Sequence, residues 1–564
     1  MIGKAKGMRG VLYRKFILKK GGRKARIFPG MSRTAQMLLV MKGHQASEYP
    51  RFRVYENQMV ALPPPHTISL RHIIYPLIKP YAYASIRYDE KEGSLIYSVI
   101  EPKLTKREIA IFDKLREGLL QVINVGIGDI KTHEKTVDFL EDRILHLLKE
   151  FGIELTDKEY LKIMYYVFRD FVGLNEIEPL MRDPYIEDIG VDGVGIPVFV
   201  IHQKFGSIKT SVIYNNETTL KEFVTKLAER CDRYISYAEP LLDGTLPDGA
   251  RVQASMASDV TTRGPTFSIR KFREVPLTPI DVIRYNTASA EMLAYIWYII
   301  ENGANILVAG GVSTGKTSML NAISMFIPNE MKIVSIEDTR ELNLPHENWL
   351  PGVARVGFTG TGVGEVDMFQ LLKESFRQNP DYLIVGEIRG KEAYVMFQGM
   401  ASGHPSISTI HAGSISDLIK RLETEPINLS PGLLESLDAV IIMVHARERG
   451  KSARRVKEII EIESVDVQTG AARINKSFFW VPAEDTFSYK GNSWLLGKLS
   501  TERGIPINDM IREISRRKKF LNLIYENNIT EMKTVAKYLN LYLRNPKRID
   551  NILNGIERLE DIYE

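Results

Sequence analysis

Asn305-Ile-Leu-Val-Ala309 is a short apolar run that passes directly into Gly310-Gly311-Val312-Ser313-Thr314-Gly315-Lys316-Thr317 and then into a helix-periodic segment near 317–326. A buried strand, a glycine-rich turn and a helix in that order are the setting that a Gly-x4-Gly-Lys-Thr phosphate loop requires. The glycines let the backbone fold tightly with its N–H groups inward, and the helix N-terminus adds a second attraction for an anion. Lys316 then reaches terminal phosphates, and Thr317 supplies an oxygen to magnesium. The bland alternative is a turn with an exposed lysine; the flanking elements and the motifs that follow argue against it.

Outward from that loop the pattern is α/β. Apolar strands at 305–309, 332–336, 382–385, 406–410 and 439–444 alternate with helices near 288–301, 317–326, 366–378, 391–401 and 414–424. Such alternation predicts a mostly parallel sheet covered by helices on both faces. Upstream, helical periodicity occupies 106–122, 133–151 and 156–172, with Thr156-Asp-Lys-Glu159 as a capping box. Short strands follow around 189–213, then a helix near 219–231. The reading divides the chain into a basic flexible head (1–30), a strand–helix region (31–155), an α+β domain (156–273), a linker (274–287), the α/β domain (288–460) and a mostly helical C-terminal extension (461–564).

A chain of 564 residues exceeds one ordinary core. Its net charge of +5 is unevenly placed, because residues 1–26 carry ten Lys or Arg and no acid. That head reads as a solvated tail, a contact for an anionic membrane surface, or a contact for nucleic acid or an acidic partner. The single cysteine, Cys231, excludes an intramolecular disulfide and any multi-cysteine metal site. No run approaches the roughly 18 apolar residues of a membrane span, and the N-terminal run lacks a signal-peptide core. A cytoplasmic protein with peripheral membrane contact is expected.

Two acidic clusters sit at strand ends. Lys332-Ile-Val-Ser-Ile336 runs into Glu337-Asp338-Thr339-Arg340-Glu341, and Tyr382-Leu-Ile-Val385 into Gly386-Glu387. Carboxylates at the carboxyl ends of strands beside a phosphate loop stand where open α/β sheets bind ligands. There they hold a magnesium shell or orient water. His404 and His411 bracket the 406–410 strand; His411 could sense a terminal phosphate, or either could be a packed structural histidine. Arg340, Arg355, Arg377 and Arg389 lie near these motifs, and Arg251, Arg263 and Arg270 precede them. Chemistry alone does not sort these seven.

The ordered set Gly310-to-Thr317, Glu337-Asp338-x-x-Glu341, Gly386-Glu387-Ile-Arg389-Gly with Glu392-Ala, and Gly403-His404 with Thr409-Ile-His411-Ala resembles the type II/type IV secretion and pilus ATPase superfamily over about residues 155–450. Leu246-Pro-Asp-Gly-Ala-Arg-Val, Thr261-Thr-Arg-Gly-Pro-Thr-Phe-Ser-Ile-Arg-Lys-Phe and Ile336-Glu-Asp-Thr-Arg-Glu-Leu-Asn-Leu-Pro resemble its archaeal branch, above all the archaellum motor ATPases; an archaeal adhesive-pilus or type II-like secretion ATPase is the alternative.

The resemblance implies a RecA-like ATPase domain preceded by an α+β N-terminal domain, with a helical C-terminal tail, and hydrolysis of ATP with Mg2+. It implies nucleotide held by Gly310, Gly311, Val312, Ser313, Thr314, Gly315, Lys316, Thr317 and Ser318. Glu341 takes the general-base position, and Glu387 the position linked to magnesium and water, with Thr317 as the other metal contact. His411 is the family's second histidine, and Arg251 and Arg270 approach the phosphates from the N-terminal domain. Implied partners are five further copies in a homohexamer, a polytopic membrane platform protein and other archaellum motor components, with residues 1–26 placed against an anionic membrane. The four-cysteine zinc element of many bacterial members is missing from this sequence. A nucleic-acid motor and a nucleotide-binding scaffold without turnover are the competing classes. No aromatic-interleaved basic stripe supports the first, and the complete acid set argues against the second.

Overall fold

The computed structural model describes residues 49–55, 60, 62, 72–122, 133–272, 276–355, 364–448, 451–466 and 471–559; the basic head lies outside them. The chain separates into two units, one formed by Met1–Tyr55 with Pro102–Leu174 and the other by Glu56–Glu101 with Asn175–Glu564.

In the first unit, helices Lys106–Val122, His133–Glu150 and Asp157–Val167 fall where the apolar spacing predicts them, and the third runs on as a π-helical turn, Phe168–Val172. Thr156 and Glu159 cap each other's backbone N–H groups as the sequence pattern demands. Buried Glu141 accepts from the Phe52 amide (2.9 Å) and the Tyr160 hydroxyl (3.1 Å), and so pins the 49–55 segment on the helices. Phe52 is fully buried there.

The second unit carries two large sheets. In the first, the described strands are β1 (Ile73–Ile78), β2 (Ala82–Asp89), β3 (Ser94–Ile100), β4 (Ile186–Val191), β5 (Pro197–His202), β6 (Gly206–Ile213), β7 (Leu241–Thr245), β8 (Arg251–Ser255) and β9 (Thr266–Arg270), ordered β1-β2-β3-β6-β5-β4-β9-β8-β7. Strands from 73–100, which the sequence reading assigns to a separate region ending at 155, thus share a sheet with strands from 186–270. A buried carboxylate helps to fix this: Asp183 accepts from the hydroxyls of Tyr75 on β1 (2.6 Å) and Tyr97 on β3 (2.7 Å). A contact across nearly ninety residues leaves no mark in local sequence.

The second sheet contains β10 (Ile306–Gly310), β11 (Ile333–Glu337), β12 (Trp349–Val353), β13 (Tyr382–Val385), β14 (Ser406–Ile410), β15 (Ala439–Glu448), β16 (Lys451–Val465), β17 (Ala472–Val481) and β18 (Thr486–Tyr489), ordered β12-β11-β13-β14-β10-β15-β16-β17-β18. Pairs from β12 to β15 are parallel, and those from β15 to β18 are antiparallel. Every residue of β10, β11, β13 and β14 is buried, as strands covered on both faces must be. With a phosphate loop after β10 and helices on both faces, this is the RecA-like α/β domain.

The C-terminal extension begins as strands, not helices, and becomes helical only from Trp494. Its helices Ile507–Glu526 and Met532–Arg544 pack on helix Ala290–Glu301 of the α/β domain. Tyr542 lies 4.8 Å from the Trp297 ring, and the Arg517 guanidinium sits 4.7 Å above it. Arg517 is itself buried and paired to Glu301 at 2.6 Å, so burial leaves neither charge alone. That covering explains why helix Ala290–Glu301 is apolar almost all round.

Candidate active site

The carboxyl ends of β10, β11, β13 and β14 are in parallel register, with Ala309 opposite Ile410 and Ile336 opposite Val385. Each strand therefore delivers its next residues to the same edge, the ligand edge of an open α/β sheet. From β10 comes the phosphate loop. A Cβ on Gly310 would stand 2.5 Å from Thr314 Oγ1 and 2.8 Å from the Met443 carbonyl, so only glycine fits. Ser313 (φ 58) and Gly315 (φ 89) are left-handed, and Gly315 leads into helix Lys316–Ser324. The first-turn N–H groups of that helix have no intrahelical acceptor, which is what an anion needs. Thr317 and Ser318 lie in this turn, half-buried, whereas Val312 at the loop crown is exposed.

Lys316 is buried and donates to the Gly311 carbonyl (2.9 Å) and to His411 Nδ1 (3.2 Å). An ammonium can only donate, so Nδ1 accepts and the ring proton is on Nε2. Nε2 stands 3.1 Å from Glu387 Oε1. Burial lowers the pKa of both Lys316 and His411, with the Glu387 charge opposing in each case.

Glu387 Oε2 accepts from Arg389 at 2.5 Å, and Arg389 also reaches Asp338 Oδ2 at 3.5 Å. The Glu387 carboxylate holds the Arg389 pKa above its ordinary value. The same Asp338 oxygen lies 3.7 Å from Arg251 on β8, which pairs more closely with Asp243 at 3.1 Å. One polar chain thus joins Lys316, His411, Glu387, Arg389, Asp338 and Arg251.

Arg270 stands outside that chain, paired with Asp188 at 3.0 Å, although the charge of Glu341 reaches it. Glu341 itself is exposed, and its backbone is held from below by Glu337. Glu337 Oε1 accepts from the Glu341 N–H (2.9 Å) and the Leu342 N–H (3.0 Å). Desolvation pushes the Glu337 carboxyl up to about 7.

The other candidates separate cleanly. Arg340 lies over the rings of Phe272 and Trp349, Arg377 pairs with Glu374 on its own turn, and Arg355 donates to the Gly364 carbonyl. His404 sits at the far end of β14 with its ring edge-on to Phe376. Two residues near the loop are invisible to sequence reasoning. Arg454 Nε donates to the Ser313 carbonyl at 3.0 Å from a strand 141 residues away. Asn321, one turn into the loop's helix, bonds to the Glu341–Asn343 backbone. Neither belongs to a local pattern.

The residues fit a magnesium nucleotide. Glu337 Oε2 is a buried oxygen that accepts no hydrogen bond, and Glu387 Oε1 is a buried oxygen that faces only His411 Nε2, at 3.1 Å; carboxylate oxygens so placed can accept from water or a cation. Among the described residues no group of three or more His, Cys, Asp or Glu could hold a metal alone.

Comparison with known proteins gives the family. Residues 174–479 match the family model of the type II/IV secretion system protein. An uncharacterized protein of Methanocaldococcus jannaschii is 38% identical over 449 residues, spanning 75% of this chain and 80% of that one. The type IV secretion system protein PtlH of Bordetella pertussis is 32% identical over 275 residues, 43% of this chain and 80% of its own. Among solved structures, the VirB11 ATPase of the Brucella suis type IV secretion system aligns with 50% of this chain and 92% of its own, at 24% identity and a TM-score of 0.26. The chain belongs to the type II/IV secretion system protein family, and it is an ATPase of that family.

Proposed function

We propose that this chain is the hexameric ATPase that powers assembly of an archaellum at the cytoplasmic face of the cell membrane; whether the same stroke also turns the filament is a separate question. The observation that carries the catalytic part is the contact of Lys316 with His411 Nδ1 and of His411 Nε2 with Glu387 Oε1. Lys316 is poised to exchange the Gly311 carbonyl for phosphate oxygens, and His411 to feel that exchange through Nδ1. Glu341 and Glu387 place the attacking water, since phosphoryl transfer depends on positioning and charge more than on basicity. Thr317 and Glu387 would hold magnesium with the nucleotide, and the ion would supply positive charge against the developing phosphate charge. Arg251 and Arg270 bring positive charge from the N-terminal sheet, and drawing them inward excludes water and strengthens every charge contact.

The archaellum assignment is supported by the Leu246, Thr261 and Ile336 sequence patterns and by an archaeal relative that spans three quarters of the chain. A polytopic platform protein and the other archaellum motor components are the proposed partners, and the basic head the proposed contact for anionic lipid. Among the described residues no helix is long and apolar enough to cross a membrane, so on this proposal the platform carries the membrane spans. The second reading, an archaeal adhesive-pilus or type II-like secretion ATPase, rests on the same catalytic residues.

The test is phosphate release by the purified protein with liposomes containing an archaellum platform protein, with liposomes containing a pilus platform protein, and with DNA. Mass in solution is followed with a non-hydrolysable ATP analogue. Stimulation by the archaellum platform and a six-copy assembly are expected. Selective stimulation by the pilus platform replaces the archaellum reading, and stimulation by DNA alone removes both.

A further inference from the structure

We infer that Asn321 is the positioning residue that couples the phosphate loop to the Glu341 segment, so that loading the loop sets the place of the water-orienting carboxylate. The inference rests on the reading of Glu341 given above. Asn321 is buried (5% exposed) in helix Lys316–Ser324, one turn beyond Thr317. Its amide nitrogen donates to the Glu341 carbonyl at 3.2 Å and, more weakly, to the Thr317 carbonyl at 3.4 Å. Its amide oxygen accepts from the Asn343 N–H at 3.0 Å. One side chain therefore engages the turn that carries Thr317 and holds the backbone of residues 341–343 at two points.

Glu337 completes the grip from β11 through the N–H groups of Glu341 and Leu342. The peptide groups on both sides of the Glu341 Cα are thus held by side chains: its N–H by Glu337, its carbonyl by Asn321. Glu341 follows β11 in an irregular segment, where no sheet ladder sets its position. Asn321 reaches that segment from the helix that binds phosphate, so a shift of the loop on nucleotide binding moves the Glu341 main chain directly. A shift of about 1 Å in a water-placing group is enough to cost on the order of a hundredfold in rate.

Asn321→Asp tests this, because it keeps the acceptor for Asn343 and replaces the donor with an oxygen facing the Glu341 carbonyl. We expect kcat to fall at least about tenfold with the KM for ATP changed less than about threefold, the signature of a contact that matters after binding. Asn321→Ser, which brings no charge into the buried site, should show the same split and guards against poor folding of the aspartate variant. The decisive reading is the double variant. In a Glu341→Gln background, Asn321→Asp should cost less than about twofold in residual turnover, because residues acting as a unit are not additive.

An equal cost in both backgrounds would make Asn321 a merely structural residue and overturn the inference, as would unchanged kcat in the Asn321 variants beside an inactive Glu341→Gln. Wild-type turnover by Glu341→Gln would instead remove the reading of Glu341, and the inference with it.

Discussion

Lys316 donates to Nδ1 of His411 at 3.2 Å, and that contact fixes the tautomer of the imidazole. The ring proton is left on Nε2 facing Glu387, so the histidine bridges the phosphate loop and the carboxylate. Burial lowers the His411 pKa, with Glu387 opposing, so the ring is neutral at pH 7. Protonation would place a cation against Lys316. Turnover should therefore be level from pH 8 to about 6.5, the ordinary imidazole pKa, and fall only below it. His411→Ala should lose roughly ten- to a hundredfold in kcat and its acid limb should change shape. An acid limb identical in the two proteins would show that another group governs it.

Glu387→Gln is expected to separate binding from hydrolysis. The amide retains the shape of the side chain but loses the charge that holds Arg389 at 2.5 Å and that faces His411 Nε2. ATP affinity should change little, whereas phosphate release should slow by about a hundredfold or more. Equilibrium binding of a fluorescent ATP analogue together with single-turnover phosphate release measures both, and fast single-turnover release would remove Glu387 from the chemistry.

Arg454 braces the loop from outside. Its Nε donates to the carbonyl of Ser313, the one non-glycine loop residue in the left-handed region, and its side chain lies against Gly315. A non-glycine left-handed residue is strained by about 1 kcal/mol or more and persists only where its surroundings hold it. Arg454→Ala should weaken ADP and ATP binding by roughly five- to tenfold, with kcat at saturating ATP nearly unchanged. Titration calorimetry checks the first and steady-state kinetics the second; equal loss in both would point to a role in catalysis.

Sequence spacing located the parallel strands well. The segments expected at 332–336, 382–385 and 406–410 are β11, β13 and β14 to within a residue at each end, because strands buried on both faces read as plain apolar runs bounded by motif residues. Edge strand β12 was missed, since Pro351 and Gly352 suppress any strand signal. Strand β16 runs across the boundary expected at 460, where Glu461 breaks its apolar pattern. That glutamate is fully buried and accepts from the Tyr295 and Ser493 hydroxyls, from Asn475, and from the N–H groups of Trp494 and Leu495. Its partners are up to 166 residues distant, so its charge looks like exposure until they are in place. The same distance hid Arg454, whereas Asn321 was hidden by sitting mid-helix with no motif around it.

Glu337 offers a test of stability against pH. Its Oε1 serves the Glu341 and Leu342 amides, and its Oε2 is buried with no hydrogen bond. Desolvation, aided by the charges of Glu341 and Asp338 and opposed by the two amides, raises its pKa from the ordinary 4.5 to about 7. Below pH 4.5 the carboxyl is protonated in folded and unfolded chains alike, and its ionisation costs nothing. Between 4.5 and about 7 the unfolded chain releases the proton first, so folding stability declines as pH rises; above 7 the deficit is constant. Glu337→Gln has no charge to bury and keeps an oxygen for the two amides. Its melting temperature relative to wild type should therefore climb from pH 4.5 to 7 and then level off, with a gain of up to about 3 kcal/mol at the plateau. Thermal melts of both proteins across that range make the measurement. A difference that stays flat from pH 4.5 to 8 would mean that Glu337 ionises in the folded protein as it does in water, and that its buried oxygen has a partner which stabilises the charge.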